Sequence, residues 1–567
     1  MSLFKSIATF GGWTLISRIT GFFRDMVMAN YLGAGAVSDA FFVAFKLPNL
    51  FRSLFAEGAF TSAFVPIFSQ KLVGGGKAQA IKFAVGAISV LVFSLGLFVL
   101  LMEIVMPWVV VVLAPGFADD AGKIELAAFL SRITFPFLLL VSVVSFQSGI
   151  LNSFGKFAAP AAAPVILNLT MIAAVWVFMP VIDTPVYRIA LGVTLAGVLE
   201  IIWLNFFLRR EGVNISLVYD LPGLFKSEDI RVLFKRIAPG VLGAGVYQIN
   251  MMVDTILVSL VGTGAISWLY YANRLQQLPL GVVGAAIGVA LLPILSRQLK
   301  AGDDGEAKKT QDKAIEYGVL LSVPAAAAII VLAEPIINIL FQHGKFGLFE
   351  TEMTARAVIA YSLSLPVYVM VKAMTPNFFA RGDTRTPVKY SVVVLAANLV
   401  FSLLLMKPFG HTGIAAATSL AAFVSFYQYV RGLKKRGYWS FSRELAVYVG
   451  KVTFCSLVMG AVLYGGGLAL DLLTGGWLKF SLWAKLPLFG LLCFFGVVTF
   501  CIMTKITGVM DVAALAKSLL KRKERDVLSL LLLRRARFRQ PEPLRRKNHS
   551  VRDPRKSCNG RNFRLRA

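Results

Sequence analysis

The chain has 567 residues, 57% of them hydrophobic, with a mean hydropathy of +0.72 and a formal net charge of +28. Soluble domains are about 45–50% apolar, so this composition excludes an ordinary soluble globular protein. Apolar runs of about 20 residues recur, the length that a ~30 Å hydrocarbon core requires, and no alternating strand pattern accompanies them. The fold class is therefore an all-α polytopic membrane protein.

Fourteen spans are expected, near 8–32, 37–70, 83–113, 126–152, 160–180, 187–208, 232–261, 266–298, 315–341, 355–380, 387–407, 412–431, 446–470 and 481–504. Charges are embedded in the first pair: Arg18, Arg24, Asp25, Asp39, Lys46, Arg52 and Glu57. An ionised side chain at mid-bilayer costs about 2.5–3.5 kcal/mol on insertion scales, so such a group must face a wet cavity or a counter-charge. Most of these charges are cationic, and the simplest cargo for such a cavity is an anion.

At 100° per residue Arg18 and Asp25 share a helix face, whereas Arg18 and Arg24 do not. Arg24 and Asp25 are neighbours whose side chains diverge, so they are expected to pair poorly. Arg274, in "WLYYANRLQQLPLG", falls close to the repeat equivalent of Lys46. Both halves thus place a cation on their second helix, and the two would face each other across a central basic site. Salt bridges to Asp25, Asp39 and Glu57 are the plain alternative. Five cations (Arg18, Arg24, Lys46, Arg52, Arg274) against three acids leave a surplus that a phosphate-bearing cargo would neutralise.

The repeat is read from local words. Gly33-Ala-Gly-Ala-Val-Ser38 resembles Gly262-Thr-Gly-Ala-Ile-Ser267 at an offset of 229, shared by Asp25 and Asp254. Pro66-Ile-Phe-Ser-Gln-Lys-Leu72 resembles Pro293-Ile-Leu-Ser-Arg-Gln-Leu299 at 227, as do Gly155 with Gly382 and Pro160 with Pro387. Two repeats of six helices, an even number, enter the membrane in the same sense, with substrate between them. The expected organisation is an N-lobe at 1–210 with helices 1–6, a linker at 211–231, a C-lobe at 232–436 with helices 7–12, helices 13–14 at 437–510, and a tail at 511–567.

Asp254, Asn398, Ser402 and Thr418 are polar positions within spans of the second half. They allow either a Na⁺ or proton site or an internal hydrogen-bond network. Basic residues concentrate in alternate loops, which the positive-inside rule assigns, with both termini, to the cytoplasm. From Lys521 to the end there are 17 Lys+Arg against 4 Asp+Glu, a net of +13 that leaves +15 for the body. The tail lacks apolar periodicity and reads as disordered, first as a dispensable extension and second as an electrostatic contact with anionic lipid, and not as a nucleic-acid site. No P-loop, nucleophile elbow or HExxH occurs, so a transporter is expected rather than an enzyme, with no cofactor.

The words "SRITGFFRDMVMANYLGAGAVSDAFFVAFKLPNLFRSLFAEGAFTSAFVPIF" and "YYANRLQQLPLGV" resemble the MurJ (MviN) family of bacterial lipid II flippases, in the MOP superfamily. The similarity runs from the N-terminus to about residue 505. It implies two six-helix lobes in a MATE-like V around a solvated cavity, with two further helices forming a groove for the lipid tail. It implies that Arg18, Arg24, Arg52 and Arg274 hold the pyrophosphate of lipid II, with Asp39 and Glu57 at family positions and Asp254, Asn398 and Thr418 at a Na⁺ site. Ser402 stands where some members carry an acid of that site, and Asn273 and Gln277 stand where members often carry acids beside the helix-eight arginine. The implied activity is alternating-access export of lipid II for peptidoglycan synthesis at the inner membrane. Membrane potential would drive it, and cell-wall synthesis enzymes are prospective partners. A MATE-like drug or cation antiporter and a non-transporting scaffold are the rival readings.

Overall fold

The computed structural model describes residues 3–52 and 61–509. Expectations that concern Glu57 or the basic tail lie outside those residues. Among the described residues the chain is helical throughout. The N-terminal half comprises α1 (Leu3–Leu32), α2 (Ala36–Arg52), α3 (Thr61–Gly74), α4 (Gly76–Leu113), α5 (Ala121–Thr134), α6 (Phe137–Ser153), α7 (Ala158–Val177) and α8 (Pro185–Arg210). The short α9 (Leu221–Lys226) lies in the linker. The second half runs through α10 (Glu228–Ser259), α11 (Ala265–Pro279), a π turn (Leu280–Gly284), α12 (Ala285–Lys300), α13 (Asp304–Val331), α14 (Ala333–Phe341), α15 (Leu348–Ser362), α16 (Leu365–Ala380) and α17 (Arg385–Lys435). Helices α18 (Arg443–Thr474) and α19 (Leu482–Ile506) complete the described chain.

Among the described residues, ten helical stretches are long and apolar enough to cross a membrane. Helices α1, α2 and α10, which hold the expected first, second and seventh spans, are not among them. In α1, Lys5, Arg18, Arg24 and Asp25 dilute the apolar character, and α2 has only 17 residues. Helix α4 illustrates the lipid-facing design: its 38 residues extend about 57 Å at 1.5 Å per residue. Leu100, Ile104, Trp108 and Val112, spaced four apart, form an exposed stripe along one side. The 51-residue α17 contains two expected spans and folds back at Gly410 (φ 56°, ψ −136°), a conformation open to glycine.

The apolar cores explain the shape. One cluster runs through both halves at one end, joining Met28, Phe41 and Phe42 to Tyr271, Ile337, Phe341 and Ile414. Toward the other end the cores separate, except that Ile230 and Leu233 of α10 join the first-half cluster. Phe64, Phe68, Phe146 and Leu204 cluster in the first half; Leu295, Val319, Met374 and Phe378 cluster in the second. The broad fusion of the lobes is at one end; at the other, contact runs through α10, which packs on α3 and α4 and pairs Asp229 with Lys71 at 2.9 Å. The basic loops lie at this second end. Helices α18 and α19 pack on each other and reach the second lobe through α13 and α14.

The internal repeat appears as reciprocal contacts. Ser38 and Ser267, 229 apart, hydrogen-bond hydroxyl to hydroxyl at 2.9 Å. Lys345 N–H donates to Asn30 O at 3.0 Å, and Gly116 N–H donates to Ser259 Oγ at 3.2 Å. Asn30 and Ser259 are 229 apart, and so are Gly116 and Lys345, so one contact is the image of the other. Near the basic loops Lys156 pairs with Glu211 at 2.8 Å and Asp383 with Arg436 at 3.5 Å. Lys156 and Asp383 are 227 apart, so the repeat retains the bridge and reverses its polarity.

Candidate functional site

The fused end is closed by a dry polar cluster. Asp39, fully buried near the start of α2, pairs with Lys123 Nζ at 3.0 Å. It also accepts hydrogen bonds from the Gly264 N–H (2.7 Å), the Ser267 N–H (3.0 Å) and the Ser267 hydroxyl (2.7 Å). Asp39 of one lobe thus caps α11 of the other, satisfying amides that a helix start leaves without partners. The approach depends on Gly264 at φ 93°, where a Cβ would lie 2.9 Å from the Ala34 carbonyl oxygen and 2.5 Å from the Trp268 ring. Asp39 is expected on the cavity wall; the structure places it in this closure. Beneath it, Phe42 stacks on Tyr270 with centroids 3.9 Å apart, and Tyr271 packs on Phe341.

Below that aromatic layer lies the first cation cluster. Arg24 donates to Asp25 Oδ1 through Nη2 (2.7 Å) and Nε (3.1 Å), and Arg274 Nε lies 2.9 Å from Asp25 Oδ2. The Tyr270 hydroxyl donates to Asp25 Oδ1 at 3.0 Å and accepts from Arg274 Nη2 at 2.8 Å. Arg24 Nη1 donates to Asn168 Oδ1 at 3.0 Å. The expected poor pairing of Arg24 with Asp25 is therefore overturned. Neighbouring Cβ atoms do diverge, but an arginine stem is long enough to fold back across its own backbone. Asp25 joins α1 to α11, so one carboxylate serves two guanidinium groups from different lobes. Arg18, expected on the face of Asp25, turns instead to the π turn, where its guanidinium lies against Gly281.

The remaining residues separate. Lys46, expected among the anion's contacts, donates to the Thr255 hydroxyl and lies within electrostatic reach of Asp254. Asp254 accepts from Asn398 Nδ2 at 2.6 Å and from Asn250 Nδ2 at 3.4 Å. Asp254 and Asn398 are thus brought together, as their positions in the sequence suggest. The Thr418 hydroxyl donates to the Ile414 carbonyl of its own helix at 3.1 Å. Asn398 Oδ1 and Ser402 Oγ are buried without a hydrogen-bond partner among the described residues. Arg52 faces the buried Glu200 of α8.

The sequence expectations omit Lys123, Asn168, Glu200 and Lys372. The three charged ones stand within or at the edge of apolar runs, as in "LAGVLEIIWL" and "PVYVMVKAMTP", and the rule that singles out Arg18 also finds them. With them the balance between the lobes, among the described residues, is seven cations (Arg18, Arg24, Lys46, Arg52, Lys123, Arg274, Lys372) against four acids (Asp25, Asp39, Glu200, Asp254). Lys123 pairs with Asp39, while Arg52 and Lys46 lie within electrostatic reach of Glu200 and Asp254. Arg24 and Arg274 share one, while Arg18 and Lys372 have none within 4.0 Å among the described residues.

Comparison with known proteins places this geometry in context. The family model described as lipid II flippase MurJ matches residues 28–486. A probable lipid II flippase MurJ of Rhizobium tropici is 38% identical over 527 residues, covering 92% of this chain and 97% of its own length. The lipid II flippase MurJ of Burkholderia cenocepacia is 34% identical over 477 residues, covering 83% and 91%. Among solved structures, a lipid II flippase MurJ in an inward closed conformation superposes with a TM-score of 0.72 at 25% identity, covering 88% of this chain and 98% of the other. An inward-facing MATE-family multidrug resistance transporter of the MOP superfamily reaches 0.58 at 16% identity, covering 75% and 96%, a likeness of fold.

Proposed function

Because the chain belongs to the lipid II flippase MurJ family, we propose that it carries lipid II from the cytoplasmic to the periplasmic leaflet of the bacterial inner membrane. The observation that carries this reading is the surplus of cations over acids among the charges set between the two lobes. Arginine forks match phosphate oxygens and cannot deprotonate to escape burial, so a pyrophosphate is the natural counter-charge. By the positive-inside rule the basic loops and both termini lie in the cytoplasm, where the cargo is loaded.

In this reading the headgroup enters between the lobes, its pyrophosphate meets the arginines, and its polyprenyl chain stays in lipid beside α18 and α19. Outward release requires the Asp39 closure to part while the cytoplasmic ends approach. A membrane potential, negative inside, favours outward movement of an anion by about 2.3 kcal/mol per charge per 100 mV. Asp254, Asn398 and Ser402 suit a Na⁺ through oxygen ligands, two of their oxygens being buried and without a partner among the described residues. Thr418 does not join that set in this state, and the Lys46 ammonium competes for Asp254. A bound Na⁺ would supply a charge that releases Lys46. A cation antiporter would instead need acids in excess.

The test is a leaflet-resolved lipid II assay in cells depleted of the protein. Depletion is expected to trap lipid II in the cytoplasmic leaflet, and the variants Arg18→Ala and Arg274→Ala to leave it trapped. Normal export during depletion would end the proposal.

A further inference from the structure

We propose that Arg18 and Lys372 form a separate anion seat on the π turn of the second lobe, taking a phosphate of the cargo directly, while Arg24 and Arg274 remain bound to Asp25. This rests on the flippase reading above and adds a residue, Lys372, and a division of labour to it.

The seat is built from glycine. A Cβ placed on Gly281 would fall 2.1 Å from Arg18 Nη1 and 2.8 Å from its Cζ, so the guanidinium rests against bare backbone. A Cβ on Gly284 would fall 2.9 Å from Lys372 Cδ, so the lysine stem rests on the same turn. Gly281 and Gly284 belong to the same five-residue turn. Two cations from helices of different lobes, α1 and α16, therefore converge on one short segment. That segment is a π turn, a rare local form that recurs at functional sites.

Charge separates this place from the cluster at Asp25. Arg24 is 5% exposed and has a carboxylate at 2.7 Å. Arg18 and Lys372 are both exposed, and they lie close enough to repel each other. Two like charges held together inside a membrane are unfavourable unless something negative joins them. A phosphate does so, with the arginine supplying a planar fork and the lysine a point charge. An anion at the Arg24–Arg274 pair must instead compete with Asp25, which already lies 2.7 Å from one guanidinium group and 2.9 Å from the other.

The experiment uses the full-length protein in lipid nanodiscs, titrated with inorganic pyrophosphate, alongside the leaflet-resolved lipid II assay. Lys372→Gln and Gly281→Ala are expected to weaken pyrophosphate binding by about tenfold or more, and Lys372→Arg to retain it. The ligand-free unfolding temperature of Lys372→Gln is expected to hold or rise, because a repulsion has been removed. Pyrophosphate binding unchanged in Lys372→Gln, or lost together with a fall in that unfolding temperature, overturns the seat. Wild-type lipid II export with an indifferent Lys372→Gln sinks this inference alone. Absence of wild-type export sinks the flippase reading, while the titration still reports on the seat.

Discussion

The closure at Asp39 and the gap around Arg18 lie along the same interface and treat charge in opposite ways. In the closure, a fully buried carboxylate meets an ammonium, two amides and a hydroxyl, and both its oxygens are used. In the gap, cations outnumber acids and two of them share only a glycine turn. A matched buried charge holds two lobes together; an unmatched one waits for a ligand. A transporter needs both, since a closure that bound substrate could not reset and a site already neutralised could not select an anion.

The largest effect is expected from locking the closure. A Ser38→Cys, Ser267→Cys double variant, built where the two hydroxyls stand 2.9 Å apart, should form a disulfide that abolishes lipid II export. Reductant should restore it; a cross-linked protein that still exports would show that the lobes need not part there. Asp39→Ala comes next. It leaves Lys123 buried and uncompensated, for which breaking a buried pair suggests a loss of about 3–5 kcal/mol, read as a lower unfolding temperature. Stability equal to wild type would mean that the closure contributes little.

Asp25→Asn sharpens the contrast from the other side. Asparagine keeps a hydrogen-bond acceptor for Tyr270 but removes the charge that ties Arg24 to Arg274. Pyrophosphate should then bind more tightly at the freed arginines, while lipid II export slows. Weaker binding would mean that Asp25 positions the arginines rather than competing with the anion.

The smallest effect is expected at the mirrored surface bridges. Lys156→Ala should shift stability by less than about 1 kcal/mol and leave export unchanged, as exposed pairs do. The Asp383 carboxyl is held below its ordinary range by the Thr386 hydroxyl, then by the Thr386 amide and the nearby Arg436. A depressed folded value gives stability that is complete above the ordinary carboxylate range and lost as pH falls through the folded value. Replacing Asp383 should therefore leave the pH dependence of unfolding between about pH 5 and 8 unaltered. A change within that window would point to another group.

Much of the architecture is legible in the residue pattern alone. Apolar run length requires a helical membrane protein, because bilayer thickness and unsatisfied backbone groups leave little alternative. The glycine-rich words 229 apart announce two lobes, and charges inside apolar runs mark the interface. Partner choice is not legible there. Lys46 meets Thr255 across 209 residues, Asp39 meets Lys123 across 84, and Arg24 turns back on its own neighbour. Helical periodicity assigns a side chain to a face, but a long cation sweeps a volume wide enough to reach several carboxylates. Which one it reaches depends on how neighbouring helices cross. The sequence thus sets the inventory of charge and its depth in the membrane, and tertiary packing alone decides which charges cancel and which stay open to a ligand.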